Sequence, residues 1–270
     1  MIAFDHVTQF VDDRHAAAER LRAAGVHAVE GGHHTGFGSA NDLAHFDLFY
    51  IEMLEILDRE EAANSGSEVC RYAVDFLAGG EGLATLAFES DDLSAVRGRL
   101  IEHGFTVPEP VTMQRVHDNG FVSHSTIVYP VSNDLEIIAP IVIQRSANAD
   151  ERRAALTSTG VIADHPLGDI TVGFVGVAVR DALANAATLG EAYGVEYDTS
   201  LQKSEAYSSP FADVHLERAR LRFFEPSTTD GPVADRLATR GPGPFCIGVS
   251  ASNEVVASLN SIDGIAWYTA

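Results

Sequence analysis

The side chains most able to do chemistry are a histidine and a glutamate set in apolar strands near the amino terminus, His6 and Glu52. Side chains alternate between the two faces of a strand, so His6 shares a face with Phe4, and Glu52 shares one with Tyr50 and Leu54. A carboxylate in apolar surroundings should have a raised pKa, which suits a base that takes a proton next to a carbonyl. We therefore expect Glu52 to act as a general base or a metal ligand, and His6 to act beside it as an electrophile or a metal ligand.

A segment rich in glycine and histidine, residues 31–41, holds the second group of candidates. Its glycines permit positive φ angles and a close approach of the backbone to a ligand. We expect His34 and Asn41 to orient a substrate, whereas His33 and Gly38 fit a plain glycine-rich turn that enters a strand. The segment is not a phosphate loop, because it lacks the Lys-Ser/Thr pair and precedes a strand rather than a helix.

An internal repeat supplies the elements that must position these residues. The phrase Ile-Glu-Met-Leu-Glu-Ile at 51–56 returns as Leu-Glu-Ile-Ile-Ala-Pro at 135–140 and as Leu-Arg-Phe-Phe-Glu-Pro at 221–226. Each phrase follows an apolar strand, then an Asp, then a helix that ends at a Gly. The strands are 2–11, 84–90 and 170–179; the Asp residues are Asp13, Asp92 and Asp181; and the Gly residues are Gly25, Gly104 and Gly194. The repeat predicts an α+β protein built from copies of one strand–helix–strands unit.

The repeat also predicts how the chain is divided. Residues 1–146 form a first pair of units, 1–58 and 83–146, joined by a connector at 59–82 that carries one amphipathic helix. In the second of these units strands are expected near 111–117, 121–129 and 134–143, with a hairpin turn at Asp118-Asn119-Gly120. Residues 147–169 form a polar linker, and 170–270 form a second pair whose last unit stops early. The sequence leaves open whether the units pair in this order or in a swapped arrangement between chains.

Composition restricts the partners and the compartment. The 270 residues carry 18 Lys and Arg against 39 Asp and Glu, a formal charge of −21, which disfavours nucleic acid and anionic membranes. No apolar run approaches the ~18–20 residues of a membrane helix. The amino terminus has no basic region typical of a signal peptide, and the two cysteines, Cys70 and Cys246, offer no disulfide framework. We expect a cytoplasmic protein that binds a small molecule and could form a homodimer.

The chain resembles the vicinal oxygen chelate superfamily in the order of its elements and in five short phrases. These are Phe4-Asp5-His6-Val7, Gly31-Gly32-His33-His34-Thr35-Gly36, Tyr50-Ile51-Glu52, Gly80-Glu81-Gly82-Leu83 and Leu135-Glu136-Ile137-Ile138. The closer resemblance is to its glyoxalase-like branch. It covers essentially the whole chain and implies βαβββ units that form curved mixed sheets with helices outside, as in glyoxalases, bleomycin-resistance proteins and extradiol dioxygenases. One fold hosts many chemistries, so the resemblance is specific for fold and not for reaction.

In that superfamily a His of a first strand and a Glu of a last strand commonly bind a divalent metal in a concave pocket. The resemblance implies His6, Glu52 and Glu136 as ligands of one Mn, Fe, Ni, Co or Zn ion, with an additional ligand such as His34. The later units depart from this pattern. Thr85 and Phe174 occupy the positions that correspond to His6, and Arg222 occupies the position that corresponds to Glu52 in the third unit. A site without metal is the equal alternative.

Two further residues are candidates for substrate binding. Arg222 would point into a concavity where the other units carry carboxylates, and there it could hold a carboxylate or phosphate in bidentate fashion. The alternative is an internal salt bridge to Glu225 or Glu217. His124 lies beside the predicted hairpin turn, where strand alternation could direct it inward or leave it on the rim.

These candidates support two functions. The first is an enzyme of the lyase, isomerase or dioxygenase type, which acts on a small oxygenated metabolite with Glu52 and His6 as catalytic residues. The second is a non-catalytic protein that binds or sequesters a small molecule, as antibiotic-binding relatives do. The absence of the full ligand set favours the second function, and the His6/Glu52 pair favours the first.

Overall fold

The computed structural model describes residues 1–116, 122–204, 207–260, 262 and 265–270. The predicted turn Asp118-Asn119-Gly120 lies outside these residues. The first repeat and its connector comprise β1 (Ile2–Val11), α1 (Arg14–Ala23), β2 (Val29–His34), β3 (Ser39–Phe46), β4 (Phe49–Ile56), α2 (Arg59–Asn64) and α3 (Glu68–Phe76), followed by a 3-10 turn at Leu77–Gly79. The second repeat comprises β5 (Gly82–Ser90), α4 (Leu93–Glu102), β6 (Val111–Val116), β7 (Val122–Val128) and β8 (Ile141–Arg145).

The carboxyl-terminal half continues the pattern. After α5 (Ala149–Ser158), the third repeat comprises β9 (Thr171–Ala178), α6 (Ala182–Tyr193), β10 (Gln202–Ser204), β11 (Tyr207–Val214) and β12 (Arg220–Phe224). Helix α7 (Pro232–Arg240) leads to the short fourth repeat, which comprises β13 (Gly243–Ser250), α8 (Asn253–Leu259) and β14 (Ala266–Thr269). None of the described helices is long and apolar enough to cross a membrane.

Two curved mixed sheets hold these strands. The first has the order β2-β3-β4-β1-β5-β8-β7-β6, and the second has the order β10-β11-β12-β9-β13-β14. The first strand of a repeat pairs in parallel with its last strand, as β1 does with β4, β5 with β8 and β13 with β14. The predicted α+β fold of repeated units is confirmed.

The repeated Asp and Gly are the caps of the repeated helices. Asp13, Asp92 and Asp181 each accept a hydrogen bond from the backbone N–H three residues later, at the start of α1, α4 and α6. This bond satisfies one of the backbone donors that a helix leaves unpaired at its amino end. The glycines that follow the three helices, at 25, 104 and 194, have φ angles of 85°, 82° and 70°. Glycine adopts these angles without the steric cost that other residues incur, so the chain can turn out of each helix.

The connector packs as its periodicity predicts. Ala73 of α3 and Leu77 belong to a buried cluster with Phe10 and Leu54, and Val69, Tyr72, Phe76 and Ile56 pack against it. The predicted single helix is in fact two, because Asp58 and Ser67 each accept backbone hydrogen bonds at a separate helix start. Helix α3 thus covers the same face of β1 and β4 that carries Phe10 and Leu54.

The last strand of the second repeat is displaced from its predicted position. Residues 135–140 form an irregular segment, and the strand begins at Ile141 instead of 134. Pro140 supplies no N–H to a sheet, and its carbonyl accepts a 2.6 Å hydrogen bond from the Tyr193 hydroxyl. The phrase that closes the repeat therefore has a different structure here from the one it has in β4.

The chain divides into two compact units. One contains Met1–Asp5, Leu86–Ala155 and Gly176–Gly243, and the other contains His6–Thr85, Leu156–Val175 and Pro244–Ala270. The predicted 147–169 linker contains α5 and is shared between them, so a domain boundary in this segment stays a prediction.

Candidate functional site

Three neighbouring strands direct polar side chains to one face. In the parallel pair of β1 and β4, His6 lies opposite Tyr50 and Thr8 lies opposite Glu52. In the antiparallel pair of β3 and β4, His45 lies opposite the same Tyr50. Residues that are paired across strands project from the same face of a sheet, so the register brings these side chains together. All of them belong to the compact unit that contains His6–Thr85.

Glu52 is the centre of this group, and both of its carboxylate oxygens have close neighbours. The Thr8 hydroxyl donates to Oε2 at 3.1 Å, and Nε2 of His6 lies 3.4 Å from the same oxygen. The Asn41 side-chain amide donates to Oε1 at 2.6 Å, and Nε2 of His34 lies 4.0 Å from it. His6, Glu52 and Asn41 are only 5%, 9% and 7% exposed. The structure therefore brings four of the predicted site residues into one buried polar group.

The charge state of Glu52 differs from the sequence-based expectation. Burial raises the pKa of its carboxyl, but hydrogen bonding and charge from His6, the charge of His34 and the Asn41 hydrogen bond together outweigh burial. The net result lowers the pKa from 4.5 to about 2. The expected raised pKa is wrong because the surroundings supply donors as well as apolar atoms. Glu52 is thus an anion at neutral pH and, with so low a pKa, a weak base by itself.

A stack of three rings fixes the orientation of His6. The Tyr50 ring lies between two imidazoles, with its centroid 4.6 Å from that of His6 and 4.7 Å from that of His45. The interplanar angles are 29° and 26°, so both contacts are stacked. Nδ1 of His45 lies 3.1 Å from the carbonyl oxygen of Asp47, which fixes the outer ring in turn. Because the rings pack in this way, His6 has little freedom to turn Nε2 away from Glu52.

His34 connects the buried group to the surface. Its side chain is 24% exposed, and its Nδ1 lies 2.9 Å from the Ser39 hydroxyl. Both residues line a groove of about 240 Å³, whose other walls are formed by residues 33, 35, 36, 38, 57, 58 and 61. One imidazole thus has one nitrogen towards Glu52 and the other towards Ser39 at the groove.

Backbone geometry in the glycine-rich segment shapes this groove. Gly36 and Gly38 have φ angles of 83° and 60°, which glycine adopts without strain. A Cβ on Gly38 would lie 2.3 Å from the Asp58 carbonyl oxygen, and a Cβ on Gly31 would lie 2.2 Å from Oδ1 of Asn41. Asn41 also accepts a 3.0 Å hydrogen bond from the Gly32 backbone N–H. The glycines at 31 and 38 therefore permit close contacts that hold Asn41 and the groove wall in place.

The other three candidates belong to the other compact unit. The carboxylate of Glu136 accepts hydrogen bonds from the backbone N–H groups of Arg180 and Asp181 and from the side chains of Arg180 and Asn185. It is bound to the start of α6, a contact that the sequence did not predict, and its assignment as a ligand with His6 and Glu52 stays a prediction. His124 is an exposed residue of β7.

Arg222 is engaged within the protein. Its Nε and one terminal nitrogen donate to the two carboxylate oxygens of Asp213 at 2.7 and 2.8 Å. The guanidinium also lies 3.9 Å from the ring centroid of Phe211. The predicted alternative of an internal salt bridge describes this contact, although the partner is Asp213 and not Glu225 or Glu217. Binding of an external anion by Arg222 would have to compete with this buried bidentate pair.

The donor set does not match the metal site that the resemblance implied. No group of three or more His, Cys, Asp or Glu side chains in the described part of the chain has the arrangement to hold a metal ion. His6 and His34 approach different oxygens of Glu52, and the other hydrogen bonds of those oxygens come from Thr8 and Asn41. The residues present therefore do not fit a three-ligand divalent metal site.

Two contributors to the site were not predicted from the sequence. Thr8 is two residues after His6 in the same strand, so strand alternation alone could have identified it. Ser39 lies at the start of β3 and contacts both Nδ1 of His34 and, at 3.5 Å, Sγ of Cys70. No pattern in the sequence indicates that role, because it depends on the pairing of β2 with β3.

Comparison with known proteins identifies the family. The model of the glyoxalase-like domain matches residues 4–194. Among solved structures, a hypothetical protein from Staphylococcus aureus is similar, with a TM-score of 0.71 and 15% identity over 94% of this chain and 93% of that one. A variant of 4-hydroxymandelate synthase from Streptomyces coelicolor has a TM-score of 0.57 and 14% identity over 96% of this chain and 74% of that one. Among curated proteins, none shows significant sequence similarity to the chain. The chain therefore belongs to the glyoxalase-like domain family, with the fold of the vicinal oxygen chelate superfamily.

Proposed function

We propose that this glyoxalase-like protein is an enzyme that moves a proton on a small oxygenated metabolite bound in the groove beside His34. The observation that carries the proposal is the position of His34, whose imidazole joins the groove to the buried anion Glu52. An imidazole titrates near neutral pH and is the side chain most often used for proton transfer. The reaction class, whether lyase, isomerase or dioxygenase, is part of this proposal.

The roles of the residues follow from their contacts. His34 takes the proton from the ligand at Nδ1, the ring nitrogen beside Ser39 in the groove wall, and the Glu52 carboxylate near Nε2 stabilises the positive charge that forms on the ring. The 4.0 Å between Nε2 and Oε1 is an ion-pair distance and not a hydrogen bond, so this stabilisation acts through charge. Asn41 and Thr8 hold the carboxylate in place, and Ser39 orients the ring from the other side.

His6 has a supporting role in this mechanism. It is buried, stacked on Tyr50 and in contact with the carboxylate oxygen on the side away from His34. A second imidazole beside Glu52 helps to keep the carboxyl ionised, which is the state in which it can stabilise charge on His34. The predicted catalytic pair of His6 and Glu52 thus becomes a buried pair that acts on the ligand through His34.

Exchange of carbon-bound protons for deuterium tests this proposal. Hydroxyacetone, dihydroxyacetone, methylglyoxal and pyruvate would be incubated with the protein in D₂O, and loss of the proton signals next to each carbonyl would be followed by NMR. We expect faster exchange in at least one compound, reduced by about 100-fold or more in His34→Gln and in Glu52→Gln, as general acid–base catalysis implies. His103→Gln, a change at the exposed end of α4, is the control and should leave the rate unchanged. Exchange no faster than in buffer for every compound would contradict the proposal.

A non-catalytic binding protein is the second candidate. It is favoured by the burial of His6 and Glu52, which are 5% and 9% exposed. A binder would hold its ligand in the same groove, and His34→Gln would then weaken binding without any chemical change in the ligand. Unchanged ligand recovered after long incubation, together with saturable binding, would select this function over the enzyme.

A further inference from the structure

The walls of the groove carry acidic side chains opposite the two histidines. Asp58 and Glu61 line it on the side of α2, and His33 and His34 line it on the side of the β2–β3 turn. The other described lining residues include no Lys and no Arg. Behind His34 lies the Glu52 carboxylate, which is ionised at neutral pH. Two carboxylates therefore line a space of about 240 Å³, and a third lies behind His34, in a chain whose formal charge is −21.

Backbone contacts hold the acidic wall in place. The Gly38 carbonyl accepts hydrogen bonds from the backbone N–H groups of Leu57 at 2.8 Å and Asp58 at 3.1 Å. The Asp58 side chain in turn accepts from the backbone N–H groups of Glu60 and Glu61 at 2.9 Å each, and so caps α2. The cap fixes the start of the helix, and Glu61 follows within its first turn. The backbone of both acids is thus held at a fixed place in the wall of the groove.

We infer that Asp58 and Glu61 select ligands by charge, so that the groove admits small hydroxy or carbonyl compounds without negative charge and rejects carboxylates and phosphates. This inference rests on the proposed function and adds the chemical class of the substrate to it. Like charges brought close together in a partly enclosed space repel, and a field of one sign in a cleft repels ions of that sign as they approach. His33 and His34 offset the negative field of the two acids only when their rings are protonated.

The expected ratio of the affinities for neutral and anionic ligands follows from the strength of charge repulsion. Removing one repulsive unit charge at an exposed site changes an affinity by roughly 2- to 5-fold at low ionic strength. The effect should shrink as salt is added, because exposed charges are screened over about 10 Å at 0.1 M ionic strength. A neutral ligand should therefore bind more tightly than an anion of the same shape by roughly this factor for each acid.

Three compounds of one skeleton provide the test. Lactate is an anion, lactamide is neutral and 1-amino-2-propanol is a cation at pH 7. Each would be titrated into the full chain at low salt, and the ring signals of His34, assigned with the His34→Gln variant, would be followed by NMR. We expect lactamide and 1-amino-2-propanol to bind at least roughly 4-fold more tightly than lactate, because two acids contribute. In each of the single variants Asp58→Asn and Glu61→Gln, the affinity for lactate should rise roughly 2-fold or more, while the affinity for lactamide stays unchanged.

The variants are chosen to preserve the fold. Asn is as good a helix cap as Asp, and Glu61 is exposed. Glu60→Gln, an exposed change on the same helix outside the groove lining, is the matched control and should leave all three affinities unchanged. Lactate that binds as tightly as lactamide, or that gains nothing in the two variants, would overturn the charge selection and leave the groove as a ligand site. No shift of the His34 signals with any of the three compounds would overturn both the selection and the proposed use of the groove.

Discussion

The low pKa of Glu52 predicts a specific loss of stability in acid. A pKa that falls from 4.5 to about 2 on folding corresponds to about 3 kcal/mol in favour of the folded state. Because the folded-state pKa is the lower of the two, this stabilisation is complete above pH ~4.5 and disappears as the pH falls towards 2. Between pH 6 and pH 3, linkage predicts a loss of about 2 kcal/mol from this one group.

The replacement Glu52→Gln isolates this contribution from that of the other carboxyls. The amide cannot ionise, so the variant should be less stable than the natural protein at pH 6, and the difference should shrink by about 2 kcal/mol at pH 3. Urea unfolding followed by circular dichroism at both pH values measures the two free energies of unfolding. Glu102→Gln, an exposed change at the end of α4, controls for the general effect of removing a carboxylate.

The result that would refute this reasoning is equally specific. If Glu52→Gln and the natural protein lose the same free energy of unfolding between pH 6 and pH 3, Glu52 is not held as an anion. His34 would then lack the buried charge that is proposed to stabilise its protonated form. The reasoning holds if the stability difference between Glu52→Gln and the natural protein shrinks by the expected amount from pH 6 to pH 3, while the difference for Glu102→Gln stays constant. That result would establish the buried ion pair independently of any substrate.

Three other predictions concern neighbouring features of the molecule. Gly38→Ala should lower the free energy of unfolding by about 2 kcal/mol or more, because φ is 60° and the new Cβ would meet the Asp58 carbonyl. Gly66→Ala, whose Cβ would meet open space, should lower it little, and thermal unfolding compares the two variants. Arg222→Ala should cost about 2 kcal/mol or more by leaving buried Asp213 with only its longer, 3.5 Å contact to Arg220, and the double replacement with Asp213→Ala should recover part of this loss in urea unfolding. Protein purified without chelator should contain well below one equivalent of Mn, Fe, Co, Ni or Zn by elemental analysis, and a full equivalent that disappears in His6→Ala would contradict our interpretation of the donor set.

The fold was predictable because its signals are local. The Asp that precedes each helix and the Gly that follows it are the cap residues that the structure shows at α1, α4 and α6. The apolar phrases between them have the length of strands, and their repetition fixes the order of the elements. The predicted strand at 134–143 was wrong over 134–140, where the same phrase forms an irregular segment. There a tertiary contact, Glu136 with the start of α6, decides the structure, and a local pattern contains no information about it.

The candidate site was predictable only in part, for a similar reason. Alternation along β1 and β4 placed His6 and Glu52 on the same face, and the strand register brings them to 3.4 Å. The charge state of Glu52 depends on side chains that three strands supply, namely His6 of β1, His34 of β2 and Asn41 of β3. A prediction that considered only the apolar surroundings of the carboxylate therefore gave the wrong direction for its pKa.

The third repeat explains why the proposed chemistry belongs to the first. Arg222 occupies the position of Glu52 in the repeat, but its cross-strand partner is Asp213, and the two charges form a closed pair with two short hydrogen bonds. In the first repeat the corresponding partner of Glu52 is Leu43, which cannot pair with a charge. Glu52 therefore depends on side chains from β1, β2 and β3, and one of these, His34, also lines a groove. A carboxylate that shares its charge with an imidazole at the surface can take part in proton transfer, whereas a carboxylate sealed in a bidentate pair with arginine cannot.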